Sequence, residues 1–191
     1  MLATALIVAL ALSGHPPGGG GLIRFEPTSI LDDIPSHADG IELVTRGVTL
    51  RLRRSTSNHW IYEARSDAPT PDVVNQRVAT ALHFLQVSGP SRTIDLSESS
   101  SASLAQFGLA PARCSVSLFV DGKPVSVLEF GGLNPPKTAQ YMRVLGRNKL
   151  YLMPLHVGAQ WEAVAAAANA ASFSGSAAAS ENAHAAQAPA H

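Results

Sequence analysis

The chain contains one thiol, Cys114, in a stretch of alternating apolar and polar residues. A single cysteine forms neither an internal disulfide nor a cysteine-rich zinc site, and in this setting it reads as a small buried hydrophobe. The serine-rich run at residues 97–103 (SESSSAS) supplies hydroxyls. A serine becomes a nucleophile only beside a positioned base and oxyanion donors, and no G-x-S-x-G turn occurs in the chain. These serines read as capping and turn residues. Asp32 and Asp33 are neighbouring acids in an expected loop, with no partner carboxylate in view for acid–base hydrolysis. Only a polar cleft gathering His59, Asp95 or Glu129 would restore a hydrolytic reading. His83 lies on an expected helix without a second ligand at i+4, and His184 and His191 stand in an Ala/Ser-rich stretch without acidic or thiol company. The residues therefore offer no catalytic, cofactor-binding or metal-ligating set, and the chain is expected to be non-enzymatic and to need no cofactor.

Binding chemistry has more support. Asn134-Pro135-Pro136-Lys137 forms an expected loop that ends near Tyr141 and Arg143, so Asn134, Lys137, Tyr141 and Arg143 are the candidate ligand or partner residues. Arg51, Arg53 and Arg54 offer cations, but Arg51 and Arg53 alternate with leucines as on any solvated sheet face, with no aromatics interleaved for base stacking. Lys and Arg number 14 against 14 Asp and Glu, with pI near 7.1, so no net field draws nucleic acid or anionic lipid. Trp60, Tyr141 and Trp161 would suit a small molecule or glycan if exposed, although Trp60 and Trp161 read more simply as core anchors.

Local patterns supply the elements that must position these groups. Residues 40–44 (GIELV) and 48–54 (VTLRLRR) alternate with period two, which sends Val48, Leu50 and Leu52 to one face and Thr49, Arg51 and Arg53 to the other. Residues 59–63 add a third strand. Thr70-Pro71-Asp72 opens a helix with a hydroxyl for the N-cap, a proline at the first helical position and an acid at the positive end of the dipole. Its apolar stripe is Val74, Val78, Ala81, Leu82 and Leu85. Residues 92–96 form a short extended piece, and 102–107 a brief helix closed by Gly108. The strands at 112–120 and 125–130 flank Asp121-Gly122, the strongest short-range hairpin signal. Pro124 belongs at an edge or strand start, and Gly131-Gly132 is expected to break the ladder. Strands at 140–144 and 149–153 and a helix at 155–170 complete the domain. The expected fold class is α+β: antiparallel sheet of about seven short strands, one main amphipathic helix, a short helix and a C-terminal helix.

The ends differ in composition. Residues 1–13 (MLATALIVALALS) match the apolar core of a signal peptide, too short for a span of about 20 residues, and Ala11-Leu12-Ser13 resembles a cleavage site. Residues 1–21 are therefore read as an export segment and Gly/Pro linker, 22–170 as one α+β domain, and 171–191 as a disordered tail poor in large apolar side chains.

Over roughly residues 38–164 the chain resembles the bacterial domain-of-unknown-function family numbered 4340. The resemblance rests on Ile41-Glu42-Leu43, the Trp60 strand, the capped helix, Leu104-Ala105-Gln106-Phe107-Gly108-Leu109-Ala110-Pro111-Ala112, the Asp121-Gly122 hairpin, Phe130-Gly131, Tyr141-Met142-Arg143 and Tyr151-Leu152. It implies an extracytoplasmic domain similar to accessory proteins encoded beside gliding-motility-type ABC transporters, with no established catalytic residues to carry over. The expected function is that of a periplasmic or otherwise extracytoplasmic accessory module with protein partners in the cell envelope. No nucleic-acid partner is expected, and membrane contact only through an uncleaved N-terminal segment. The alternative is a soluble periplasmic domain for a small molecule or glycan.

Overall fold

A computed structural model of the chain describes residues 29–31, 34–63, 69–96 and 101–185, leaving out the side chains of 101–103 and 172–185. The expected export segment and linker, Asp32, Asp33, most of the serine run and His191 lie outside the described residues.

The alternating segments form one eight-stranded antiparallel sheet in the order β3-β2-β1-β5-β6-β7-β8-β4, so the α+β class holds. Its strands are β1 (Gly40–Thr45), β2 (Val48–Arg54), β3 (Trp60–Tyr62), β4 (Arg92–Asp95), β5 (Cys114–Val120), β6 (Lys123–Leu133), β7 (Ala139–Val144) and β8 (Lys149–Pro154). Both central residues of the β1–β2 turn, Arg46 and Gly47, have positive φ (49° and 77°), as do Asp121 and Gly122 between β5 and β6 (52° and 69°). That backbone matches the right-handed twist of paired strands. The strand count exceeds the expected seven because residues 92–95 pair with β8 as an edge strand. Pro124 sits at the second position of β6, near the strand start as expected.

The helices are α1 (Ile34–His37), α2 (Asp72–Val87), α3 (Ser101–Gln106) and α4 (Leu155–Ala185). The expected stripe of α2 is buried throughout: Val74, Val78, Ala81, Leu82 and Leu85. With Val157, Trp161 and Val164 of α4 they form one core with the inner residues of the sheet, among them Ile41, Leu43, Leu118, Phe130 and Met142. Each such side chain contributes roughly 1.5–3 kcal/mol through burial. The strands that flank α2, β3 and β4, lie at opposite edges of the sheet. Seven inter-strand spacings separate them by about 34 Å, and the 16 residues of α2 span about 24 Å of that crossing.

Several expectations are corrected. The N-cap of α2 is Pro71, without a side-chain cap. The Thr70 hydroxyl instead donates to the Trp60 carbonyl at 2.8 Å, because that buried acceptor at the sheet edge competes for it. Asn75 completes the junction: its Oδ1 accepts the Trp60 N–H at 2.7 Å and its Nδ2 donates to Thr70 Oγ1 at 2.7 Å. The β6–β7 ladder is interrupted at Gly131-Gly132 as expected, with a register shift between Phe130 and Leu133, although β6 itself continues to Leu133. The C-terminal helix does not stop near residue 170 but continues to Ala185, since alanine is the best helix former even where a stretch has little to bury. The four-residue α1 had no signal in the sequence beyond its buried Pro35.

Among the described residues, the outer face of the sheet carries α3 and the segment after it at one end. Gly132 N–H donates to the Phe107 carbonyl at 2.7 Å, and the Phe107 ring packs on Tyr141 with centroids 4.8 Å apart. A Cβ on Gly131 would collide with the Phe107 carbonyl oxygen and the Leu109 side chain, so a glycine is required for this backbone to lie on the sheet. Leu150, opposite Arg143 on this face, is fully buried although it stands outside the main core cluster.

Candidate functional site

The structure gives the expected loop residues internal work. Asn134 is 9 % exposed at the β6–β7 connection. Its Oδ1 accepts the N–H groups of Thr138 at 2.8 Å and Ala139 at 2.9 Å, and its Nδ2 donates to Thr138 Oγ1 at 3.1 Å. Its carbonyl accepts the Lys137 N–H at 2.8 Å, and Lys137 is exposed with φ of 57°. Tyr141 is half-buried beneath Phe107, and Arg143 Nε binds Glu129 Oε2 across the β6–β7 pair. Asn134 thus shapes a turn, while Tyr141 and Arg143 belong to the covered end of the outer face. Trp60 and Trp161 are 4 % and 0 % exposed, so neither presents a ring to solvent. His59 adjoins β3 at one sheet edge, Asp95 lies on β4 at the other and Glu129 on β6 between them, so these three are not gathered.

The opposite end of the same face holds a cleft of about 320 Å3. Strand register builds it. Gly40 lies opposite both Arg53 and Phe119, and Glu42 opposite both Arg51 and Ser117, so these residues share the outer face while Ile41, Leu52 and Leu118 face the core. A Cβ on Gly40 would stand 3.0 Å from Phe119 Cβ, and its absence lets the Phe119 side chain lie against β1. Asp39 is fixed through its backbone: its N–H donates to the Phe119 carbonyl at 2.9 Å and its carbonyl accepts the Arg54 N–H at 2.6 Å. Among the described residues, the charged lining is Asp39, Glu42, Glu63, Arg51 and Arg53. Arg51 Nε binds Glu42 Oε2, but with 59 % and 25 % of these side chains exposed, water screens the pair and its contribution to stability is small. Asp39 Oδ1 is shielded from solvent and accepts no hydrogen bond among the described residues.

A second, shallower cleft of about 430 Å3 lies beside the β1–β2 turn, among Val44, Arg46, Pro111, Arg113, Ser115 and Glu162. Arg113 and Glu162 are 3.5 Å apart there. Cys114 adjoins them in the core, 1 % exposed, and its pKa is pushed up to about 12, first by burial and second by the negative charge of Glu162. It is a protonated thiol at neutral pH and a poor nucleophile. Among the described residues no three His, Cys, Asp or Glu side chains group to hold a metal, and no helix is long and apolar enough to cross a membrane.

No protein-family model, curated protein or solved structure matches this chain. Alternation in 48–54 placed Arg51 and Arg53 on one face correctly. The partners they meet, Gly40, Phe119, Asp39 and Glu63, come from other strands and turns, and no local pattern links them.

Proposed function

We propose that the chain is an interaction module that works outside the bacterial cytoplasm, an accessory domain of an envelope or transport-associated complex holding a protein partner on the bare end of its sheet. The carrying observation is the asymmetry of the outer face. Phe107 and its neighbours cover the β6–β7 end, whereas Val44, Thr49, Arg51 and Arg53 on β1 and β2 are exposed, and Arg51 and Arg53 line a cleft. Half-bare antiparallel faces that mix apolar and charged groups suit protein contact better than a buried small ligand. The apolar run at residues 1–13 and the resemblance over 38–164 support the compartment and the accessory role.

The test places a photo-crosslinking residue at position 53, on the bare end, and at Arg77, exposed on α2. In envelope extracts the first position is expected to give a discrete, reproducible adduct and the second none. Absence of an adduct at 53 and at a second position, Thr49, sinks the reading. Fractionation of the same cells, with the mass of the mature N-terminus, tests the compartment: a cytoplasmic product starting at Met1 removes the export argument.

A further inference from the structure

We draw no further inference here: the strongest candidate, the outer edge of β4 (Arg92–Asp95) at the end of the sheet opposite β3, carries nothing, because nothing in the structure shows what covers it.

Discussion

Gly131→Ala reverses the sign that strand propensity predicts. Replacing glycine by alanine inside a strand ordinarily stabilises by about 0.5–1 kcal/mol, because the unfolded chain loses freedom. At Gly131 the new Cβ would fall on the Phe107 carbonyl oxygen and within 2.9 Å and 3.1 Å of Leu109 Cγ and Cδ2. That oxygen belongs to backbone, so the segment after α3 must lift from the sheet. Lifting it strains the Gly132–Phe107 hydrogen bond, worth about 0.5–1.5 kcal/mol, and the Phe107–Tyr141 contact, worth a similar amount. Overpacking against Leu109 adds about 1–3 kcal/mol. The net loss is about 1–5 kcal/mol, or a fall in Tm of about 6–12 °C for a central figure of ~3 kcal/mol in a domain of this size. Gly132 is the internal control. Its Cβ would lie 3.5 Å from the same oxygen, an ordinary contact, so Gly132→Ala should change stability by no more than about 1 kcal/mol. Thermal and urea unfolding of both variants decide the matter: equal effects, or a Gly131→Ala chain more stable than the parent, would refute the reasoning.

Three further outcomes follow from packing and ionisation. In α4, Gly158→Ala gains about 1 kcal/mol of helix propensity but sets a Cβ on Gln140 Oε1 and 3.2 Å from Phe130 Cδ1. The Gln140 amide donates to the Gly131 carbonyl at 3.0 Å, so a net loss of about 1–3 kcal/mol is expected, with strong coupling to Gln140→Ala in a double-mutant cycle. Asn134→Ala leaves the Thr138 and Ala139 N–H groups without their side-chain acceptor and should cost about 2–3 kcal/mol by urea denaturation, while Asn134→Asp, which keeps an acceptor, should cost less. Cys114 should resist iodoacetamide in the native chain at pH 8 and react once unfolded. Its pKa is raised from 9.0 to about 12, so the folded state holds the proton more tightly; this contribution, at most about 4 kcal/mol, is full below pH 9 and lost as pH rises toward 12, and Cys114→Ala should lack that alkaline loss.

Features written locally in the chain were legible. Asp121-Gly122 announced its hairpin, period-two alternation oriented β2, and the stripe from Val74 to Leu85 named the buried face of α2. Features set by distant contacts were not. Residues 92–96 read as a short extended piece, but that β8 pairs with 92–95 as an edge strand was not visible in four residues that are all at least partly exposed. Thr70 carried a cap signal, but a strand carbonyl brought beside it took the hydroxyl. Gly131-Gly132 was legible as a ladder break, but that the break admits a crossing backbone was not. The candidate loop followed the same rule: Asn134 was visible as a polar turn residue, but that its amide serves the turn itself depends on how β7 returns alongside β6.

These contacts also divide the outer face by role. Phe107, Leu109, Gly131, Tyr141 and Arg143 form one patch: Phe107 on Tyr141, Gly131 beneath the Phe107 carbonyl, Arg143 on Glu129. Packing alone accounts for these residue types, which fasten the segment after α3 to the sheet. At the other end, the side-chain carboxylates of Asp39 and Glu63 hold no ion pair among the described residues. The two ends should therefore separate by experiment. Substitutions in the Phe107 patch act on stability, and binding falls only as far as the folded fraction falls. Substitutions in the cleft act on binding at constant stability, since surface changes away from packed contacts usually stay within ±0.5 kcal/mol. A cleft variant such as Glu63→Gln that loses the photo-adduct at position 53 only in proportion to lost fold would place the interaction elsewhere on the molecule.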